Sequence, residues 1–335
     1  MTPSPNGAWL GRARRGDRAA LARAISLVEN EAPEAVEILE TSFAQSGKAL
    51  RVGITGPPGA GKSTLCAKLA LALRRRGMKV GIVAVDPTSP FSGGALLGDR
   101  VRMAELSGDD GVFIRSMASR GSMGGLAVHT AQVCDVLDAA GFDAVLIETV
   151  GVGQSELEVA RTADVTLVVL VPESGDGVQA MKAGLMEIGD LFVVNKADRE
   201  GSERAAMAIK GALELRDVRD GWVPPVLTTV ASTGQGVKEV LQGVDEHVGY
   251  LRRDGRLEEK RRGRARQRLE DVMRDRLWRD LNRNVTAQRW REVVESLAQR
   301  TLTPNQAAEQ LLRSGRTSRP GPGTGARKAG RAGRR

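Results

Sequence analysis

The stretch Gly56-Pro57-Pro58-Gly59-Ala60-Gly61-Lys62-Ser63-Thr64 constrains this chain more than any other. It fits the pattern G-x-x-x-x-G-K-[ST]. Before it, Leu50 to Ile54 is a short apolar run. After it, Ser63 to Arg76 places Leu65, Leu69 and Leu73 four residues apart, the spacing of one helix face. A strand, a glycine-rich loop and a helix are the context in which this pattern cradles phosphate. Backbone N–H groups turn inward on the oxygens, and the helix N-terminus adds a partial positive charge. Lys62 would place a point charge on the outer phosphates. Ser63 or Thr64 would offer a hydroxyl to Mg²⁺, and Ser63 is preferred because it directly follows the lysine. The expected ligand is a nucleoside triphosphate, held by residues 56–64.

From Ala49 to Tyr250 strand-like runs alternate with helical segments. The runs are Val52–Ile54, Val80–Val85, Val112–Ile114, Ala144–Ile147, Val165–Val171, Leu191–Val194 and Val226–Val230. Their near-continuous Val, Ile and Leu content is that of strands buried on both faces. The predicted class is therefore α/β, a three-layer P-loop sandwich with a mostly parallel sheet. Ligands in such sheets bind outside the carboxyl ends of the strands.

Several polar residues fall at those ends. Asp86 closes the second run and is placed to hold Mg²⁺ directly or through water. Asp99 has two readings: a loop residue closing over the γ-phosphate, or the N-cap of a helix over 100–106. Glu148 ends the fourth run, and Gly151 would offer its N–H to the γ-phosphate. In Ras-like GTPases a water-positioning glutamine follows that glycine. Here the residue is Val152, whose apolar side chain cannot orient water, so slow intrinsic hydrolysis is expected. Asn195-Lys196-Ala197-Asp198 fits N-K-x-D. Its aspartate would accept hydrogen bonds from guanine N1–H and the N2 amine, donors that adenine lacks. Val230-Ala231-Ser232 follows the last run, where a backbone N–H would meet guanine O6. The nucleotide is thus expected to be GTP or GDP.

The flanks differ in character. Residues 1–48 read as a helical extension, with Asp17 as an N-cap and Pro33 restarting the helix. Residues 49–250 form the nucleotide domain. Residues 251–313 form a helical arm, with Leu269, Val272, Met273, Leu277, Trp278 and Leu281 on one amphipathic helix. A second helix runs through Trp290, Val293, Val294 and Leu297, and Thr303-Pro304 opens a third. An apolar arm outside a complete core suggests dimerisation. The Arg-rich flank from Arg252 to Arg268 reads as a solvated face. The net charge of +9 concentrates in residues 314–335, a Gly/Pro/Arg tail expected to be disordered, so nucleic acid is not the expected partner. Cys66 and Cys134 read as buried small residues, and His129 and His247 stand apart. No run is long enough to span a membrane and the start lacks a secretory pattern, so a cytoplasmic location is expected.

Together these motifs resemble the methylmalonyl-CoA mutase-associated GTPases, the MeaB/ArgK family. The resemblance covers roughly Gly16 to Leu312. It rests on Gly56–Thr64, on Val85-Asp86-Pro87-Thr88-Ser89-Pro90 with Gly93-Gly94 and Leu97-Gly98-Asp99, on Glu148–Glu156 and on Asn195–Asp198. It implies a homodimeric GTPase that serves an adenosylcobalamin-dependent acyl-CoA mutase, gating cofactor loading and protecting the mutase. It also implies phosphate and Mg²⁺ roles for Lys62 and Ser63, acidic positions at Asp86, Asp99 and Glu148, and a third switch at residues 173–182. Within that switch Gln179 and Lys182 would reach the nucleotide when the partner binds; as residues alone they read as a polar helix face. The family usually has Ser-Ala where this chain has Val230-Ala231. That contact is largely backbone, so GTP preference is expected to survive.

Two other classes share the P-loop. A metal-delivery GTPase of the nickel-insertion type usually carries His-rich or Cys-His sites, unlike the isolated His and Cys here. A P-loop kinase needs an acceptor site and typically lacks N-K-x-D.

Overall fold

The computed structural model describes residues 8–86, 103–106, 108–118, 125–149, 155–172, 184–215 and 221–317. Its centre is a seven-stranded parallel sheet: β1 (Leu50–Thr55), β2 (Val80–Asp86), β3 (Val112–Ala118), β4 (Ala144–Thr149), β5 (Val165–Leu170), β6 (Leu191–Asn195) and β7 (Val226–Thr229). The order is β3-β2-β4-β1-β5-β6-β7, which puts the strand feeding the glycine-rich loop in the middle. All seven expected runs are strands.

Side chains of each strand alternate between two apolar layers, as the two-residue period requires. On one face Val52, Ile54, Leu146, Leu167 and Val193 pack against Leu65, Leu69 and Leu73 of α4 (Lys62–Arg75), together with Val240, Leu241 and Val244 further along the chain. On the other face Val83, Val85, Val145 and Ile147 meet the N-terminal helices α1 (Ala8–Arg14), α2 (Arg18–Glu29) and α3 (Ala35–Gln45). They also meet α5 (Gly125–Ala139) and Val159 of α6 (Ser155–Thr162). Val168, Leu170, Phe192 and Val194 are covered by the short α7 (Leu185–Ile188) and by Ile209 and Leu213 of α8 (Ser202–Glu214). Asp17 caps α2 through its side chain, accepting from the Ala20 N–H at 2.9 Å. The three-layer class is the observed one, with helical segments before and after it.

Helix α9 (Val237–Arg252) completes the first layer, and α10 (Arg256–Asn284) follows after one tight turn. The chain divides into two compact units, with the boundary between Arg268 and Leu269. The Arg-rich flank is solvated only in part: Arg252, Arg253, Arg262 and Arg266 are exposed as expected, whereas one face of the helix is paired. Lys260 donates to the Asp164 carbonyl at 2.8 Å and to Asp190 at 3.2 Å, and Arg261, Arg264 and Arg268 pair with Asp164 or Asp135. Arg261, Arg264 and Arg268 are half-buried, and each pairs with a carboxylate that is itself buried. The sequence shows the run of arginines but not the acids that lie a hundred residues upstream.

Burial alone would push the Asp164 carboxyl up. The Arg264 and Arg261 guanidiniums and the Arg51 N–H outweigh it and hold Asp164 below the usual carboxylate range. Asp190 is likewise held low against its burial, by His247 and Lys260.

In the second unit Val285, Val293, Ala307 and Leu311 form a small core, with Leu281, Trp290 and Leu297 packed against it. It comprises the rest of α10, α11 (Ala287–Ala298) and α12 (Pro304–Thr317). Thr303 and Gln306 cap α12 reciprocally. The Thr303 N–H donates to Gln306 Oε1 at 3.0 Å and the Gln306 N–H to Thr303 Oγ1 at 3.3 Å.

Candidate nucleotide site

The glycine-rich loop occupies the carboxyl end of β1. Gly56 has φ +136°, and a Cβ there would lie 2.0 Å from the Val169 carbonyl oxygen, so only glycine lets the chain leave the strand this way. Gly61, at φ +85°, caps α4 at the other end of the loop. The first hydrogen bond into the helix is Leu65 N–H to Gly61 O at 2.9 Å, so N–H groups of the first turn stay directed at the loop. Lys62 and Ser63 are buried. The Lys62 ammonium donates to the carbonyls of Gly56 and Pro57, both at 2.8 Å, so the loop is curled around its own cation. Pro58 and Gly59 are exposed at the loop crest. A glycine-rich loop with a buried ammonium at a helix N-terminus can bind a phosphate chain.

Beside it, the Ser63 hydroxyl donates to Glu148 Oε1 at 2.5 Å. Glu148 is buried and comes from β4, the strand next to β1, where it is the register partner of Ile54. Asp86 is the last residue of β2. Ala84 pairs with Glu148, so Asp86 stands at the same sheet edge. A serine hydroxyl against carboxylate oxygens is a hard-oxygen set of the kind Mg²⁺ takes. One step outward, the hydroxyls of Thr149 and Thr55 are 3.2 Å apart in the buried layer, joining the ends of β4 and β1. The sequence alone assigns neither threonine a role, although polar residues at the last position of apolar strands are a usable signal.

The third component comes from β6 and β7. Asn195, the last residue of β6, is buried and bonds in three directions. Its Nδ2 donates to the Ala60 carbonyl at 2.8 Å, and its Oδ1 accepts from Thr229 Oγ1 and from the Ala231 N–H, both at 3.0 Å. The Ala197 N–H donates to Thr229 O at 3.0 Å. Three loops, those after β1, β6 and β7, are therefore tied at one side chain. Lys196 has φ +57°, a backbone conformation that turns the N-K-x-D segment sharply away from its strand. Asp198 and Ser232 are exposed, whereas Val230 and Ala231 are buried.

The structure thus brings Gly56–Thr64, Glu148, Asn195–Asp198 and Val230–Ser232 to one sheet edge. Asp99, Gly151, Gln179 and Lys182 lie outside the described residues, as does the side chain of Asp86. His247 is elsewhere, buried at 3.4 Å from Asp190 and flanked by Trp222 and Tyr250. Cys66 and Cys134 are both buried, and neither is in a disulfide. Among the described residues no helix is long and apolar enough to cross a membrane.

Comparison with known proteins agrees with this layout. A Pyrococcus abyssi protein named as an inferred GTPase is 47% identical over 305 residues, spanning 90% of this chain and 94% of its own length. The GTPase ArgK of Escherichia coli is 37% identical over 309 residues, spanning 90% and 93%. A crystal structure described as LAO/AO transport system kinase superposes with TM-score 0.74 at 31% identity, covering 93% of this chain and 98% of that one. The family described as methylmalonyl-CoA mutase-associated GTPase MeaB matches residues 21–286. The chain belongs to that family, and is a guanine-nucleotide-binding P-loop GTPase.

Proposed function

We propose that this GTPase binds GTP and Mg²⁺ at the edge formed by Gly56–Thr64, Glu148, Asn195–Asp198 and Val230–Ser232, and that it serves an adenosylcobalamin-dependent acyl-CoA mutase. The observation that carries the nucleotide reading is the tie at Asn195, which holds the phosphate loop and the two base-side loops as one body. Lys62 and the N–H groups of residues 59–64 hold the phosphates. Asp198 accepts from the guanine edge, and the Ala231 region faces O6. Ser63, Glu148 and Asp86 would hold Mg²⁺, which when bound neutralises charge on the phosphate oxygens. Val152 leaves the attacking water without a side chain to orient it, so turnover is slow in the free protein and rises on partner binding. Asp99, Gly151, Gln179 and Lys182 complete the site in this reading.

The mutase partner is supported by the family's description. Methylmalonyl-CoA mutase is the first candidate, with GTP binding and hydrolysis gating cofactor loading and protecting the enzyme. A homodimer is supported by Leu269, Met273 and Leu277, which repeat every four residues on α10 and are all exposed. The test is GTP turnover of the purified protein, alone and with a cobalamin-dependent mutase from the same cell. Stimulation that tracks mutase concentration is the expected result. Turnover indifferent to the mutase would retain the GTPase and remove the partner.

A further inference from the structure

The opposite edge of the sheet, where the strands begin, carries a charge cluster that the nucleotide chemistry does not use. Arg261, Arg264 and Arg268 recur on α10 at spacings of three and four residues, which places them on one helix face. Arg264 donates to Asp164 Oδ1 at 2.5 Å and to the Thr162 carbonyl at 2.9 Å. Arg261 donates to both oxygens of Asp164 at 3.3 Å and to the Gly47 carbonyl at 2.6 Å. Arg268 donates to Asp135 Oδ2 at 2.5 Å.

The same two carboxylates also hold the start of β1. Asp164 Oδ2 accepts the Arg51 N–H at 3.0 Å, and Asp135 Oδ1 accepts the Arg51 guanidinium at 2.7 Å. Asp164 is fully buried and immediately precedes β5, one of the two neighbours of β1. The base of α10 and the phosphate-loop strand therefore share their anchors.

Strand β1 has little slack along its length. At Gly53 it runs against α6 so closely that a Cβ would fall 2.5 Å from Val159 Cγ1 and 3.0 Å from Ala163 Cβ. Gly56 is pressed in the same way against the Val169 carbonyl. Close-packed elements of this kind pass a displacement on rather than absorb it. A change at Arg51 is therefore passed along the strand toward Gly56 more readily than it is absorbed at Gly53.

We propose that Arg264, assisted by Arg261 and Arg268, is a positioning residue for the phosphate-binding loop. Acting through Asp164 and Asp135, the three guanidiniums set the seat of β1, so the base of α10 tunes nucleotide affinity from the far edge of the sheet. The proposal rests on the reading that the nucleotide occupies the Gly56–Thr64 loop.

The experiment uses the full chain and a fluorescent GDP, with dissociation constants and release rates measured well below the unfolding temperature. Arg264→Ala is expected to weaken GDP and GTP binding about 2- to 30-fold, the range of couplings carried through packed networks. Turnover at saturating GTP changes by no more than about 2-fold, because no group at the reacting end is touched. Arg264→Lys, which keeps the charge beside Asp164, restores most of the affinity. Arg279→Ala removes an exposed pair with Asp275 on the same helix and leaves affinity unchanged. A folded Arg264→Ala protein with wild-type dissociation constants overturns the proposal, and so does an equal loss in Arg279→Ala. If Arg264→Ala does not fold, Arg268→Ala takes its place with the same expected and overturning results. Lys62→Ala separates the two readings: if it binds nucleotide normally, the assignment of the loop itself fails, independently of Arg264.

Discussion

The side-chain amide of Asn195 donates to the carbonyl of Ala60 at 2.8 Å, so the last residue of β6 supports a loop 135 positions earlier in the chain. The contact leaves no spare room: a Cβ on Gly61 would fall 2.3 Å from the same Nδ2. A residue of the base-side motif thus fixes the phosphate-side loop. Nucleotide selectivity and phosphate grip share one buried group.

Asn195→Ala removes the bonds to Ala60, Thr229 and Ala231 together, leaving a buried carbonyl and a buried N–H without their partner. Stability should fall by about 1–3 kcal/mol, the usual cost of such orphaned groups. Affinity should fall for GTP and GDP alike, because both ends of the site loosen. Urea unfolding and nucleotide titration read the two effects separately.

Lys62→Ala should abolish tight nucleotide binding while the fold survives, as shown by an unchanged circular dichroism spectrum. Asp198→Asn should instead change the choice of base. GTP binding weakens by about 10- to 100-fold, the scale of losing a hydrogen bond to a charged acceptor. Xanthosine triphosphate gains, since its base edge matches the amide. Competition between the two triphosphates measures the switch.

Asp164 and Asp190 both have carboxyl pKa values lowered by folding. Their contribution to stability is therefore fully present above the unfolded carboxylate pKa of about 4, and is lost as pH falls through the lower folded values. Asp164→Asn should cost about 2–3 kcal/mol at neutral pH, less than a fully buried broken pair because Arg261 and Arg264 retain some solvent. It should also flatten the acid side of the stability curve. Unfolding midpoints between pH 7 and pH 3 for the two proteins provide the comparison.

Burial pushes the Cys134 thiol up to about 12, and the nearby Arg51 only partly offsets it. The thiolate, the reactive form, is absent at neutral pH. Cys134 should resist iodoacetamide in the folded protein and react on unfolding. Mass spectrometry of the labelled peptide before and after adding denaturant shows which holds.

Much of the architecture was legible because its signals are local. Continuous Val, Ile and Leu runs mark doubly covered strands, and each of the seven is one. The glycine-lysine-serine spacing locates the phosphate loop, and Asn195–Asp198 lies at a strand end as the motif requires. What could not be read depends on pairing across the sheet. Asn195 reaches Ala60 and Ala231 because the order β1-β5-β6-β7 brings three loops side by side, and no spacing in the sequence encodes that order. The arginines of α10 looked solvated because helical period identifies a face, not its partners. Only the fold supplies Asp135 and Asp164. Thr55 and Thr149 carry no signal of their contact, because single threonines in apolar runs are common and their meeting needs the β1–β4 register.

The central place of β1 has a consequence for how the protein is made. Its two neighbours are β4, beginning at residue 144, and β5, beginning at residue 165. A chain growing from its N-terminus therefore carries a finished phosphate-loop sequence long before either strand that shapes it exists. The loop's grip therefore depends on distant segments closing around β1, and pairings of such long range form slowly.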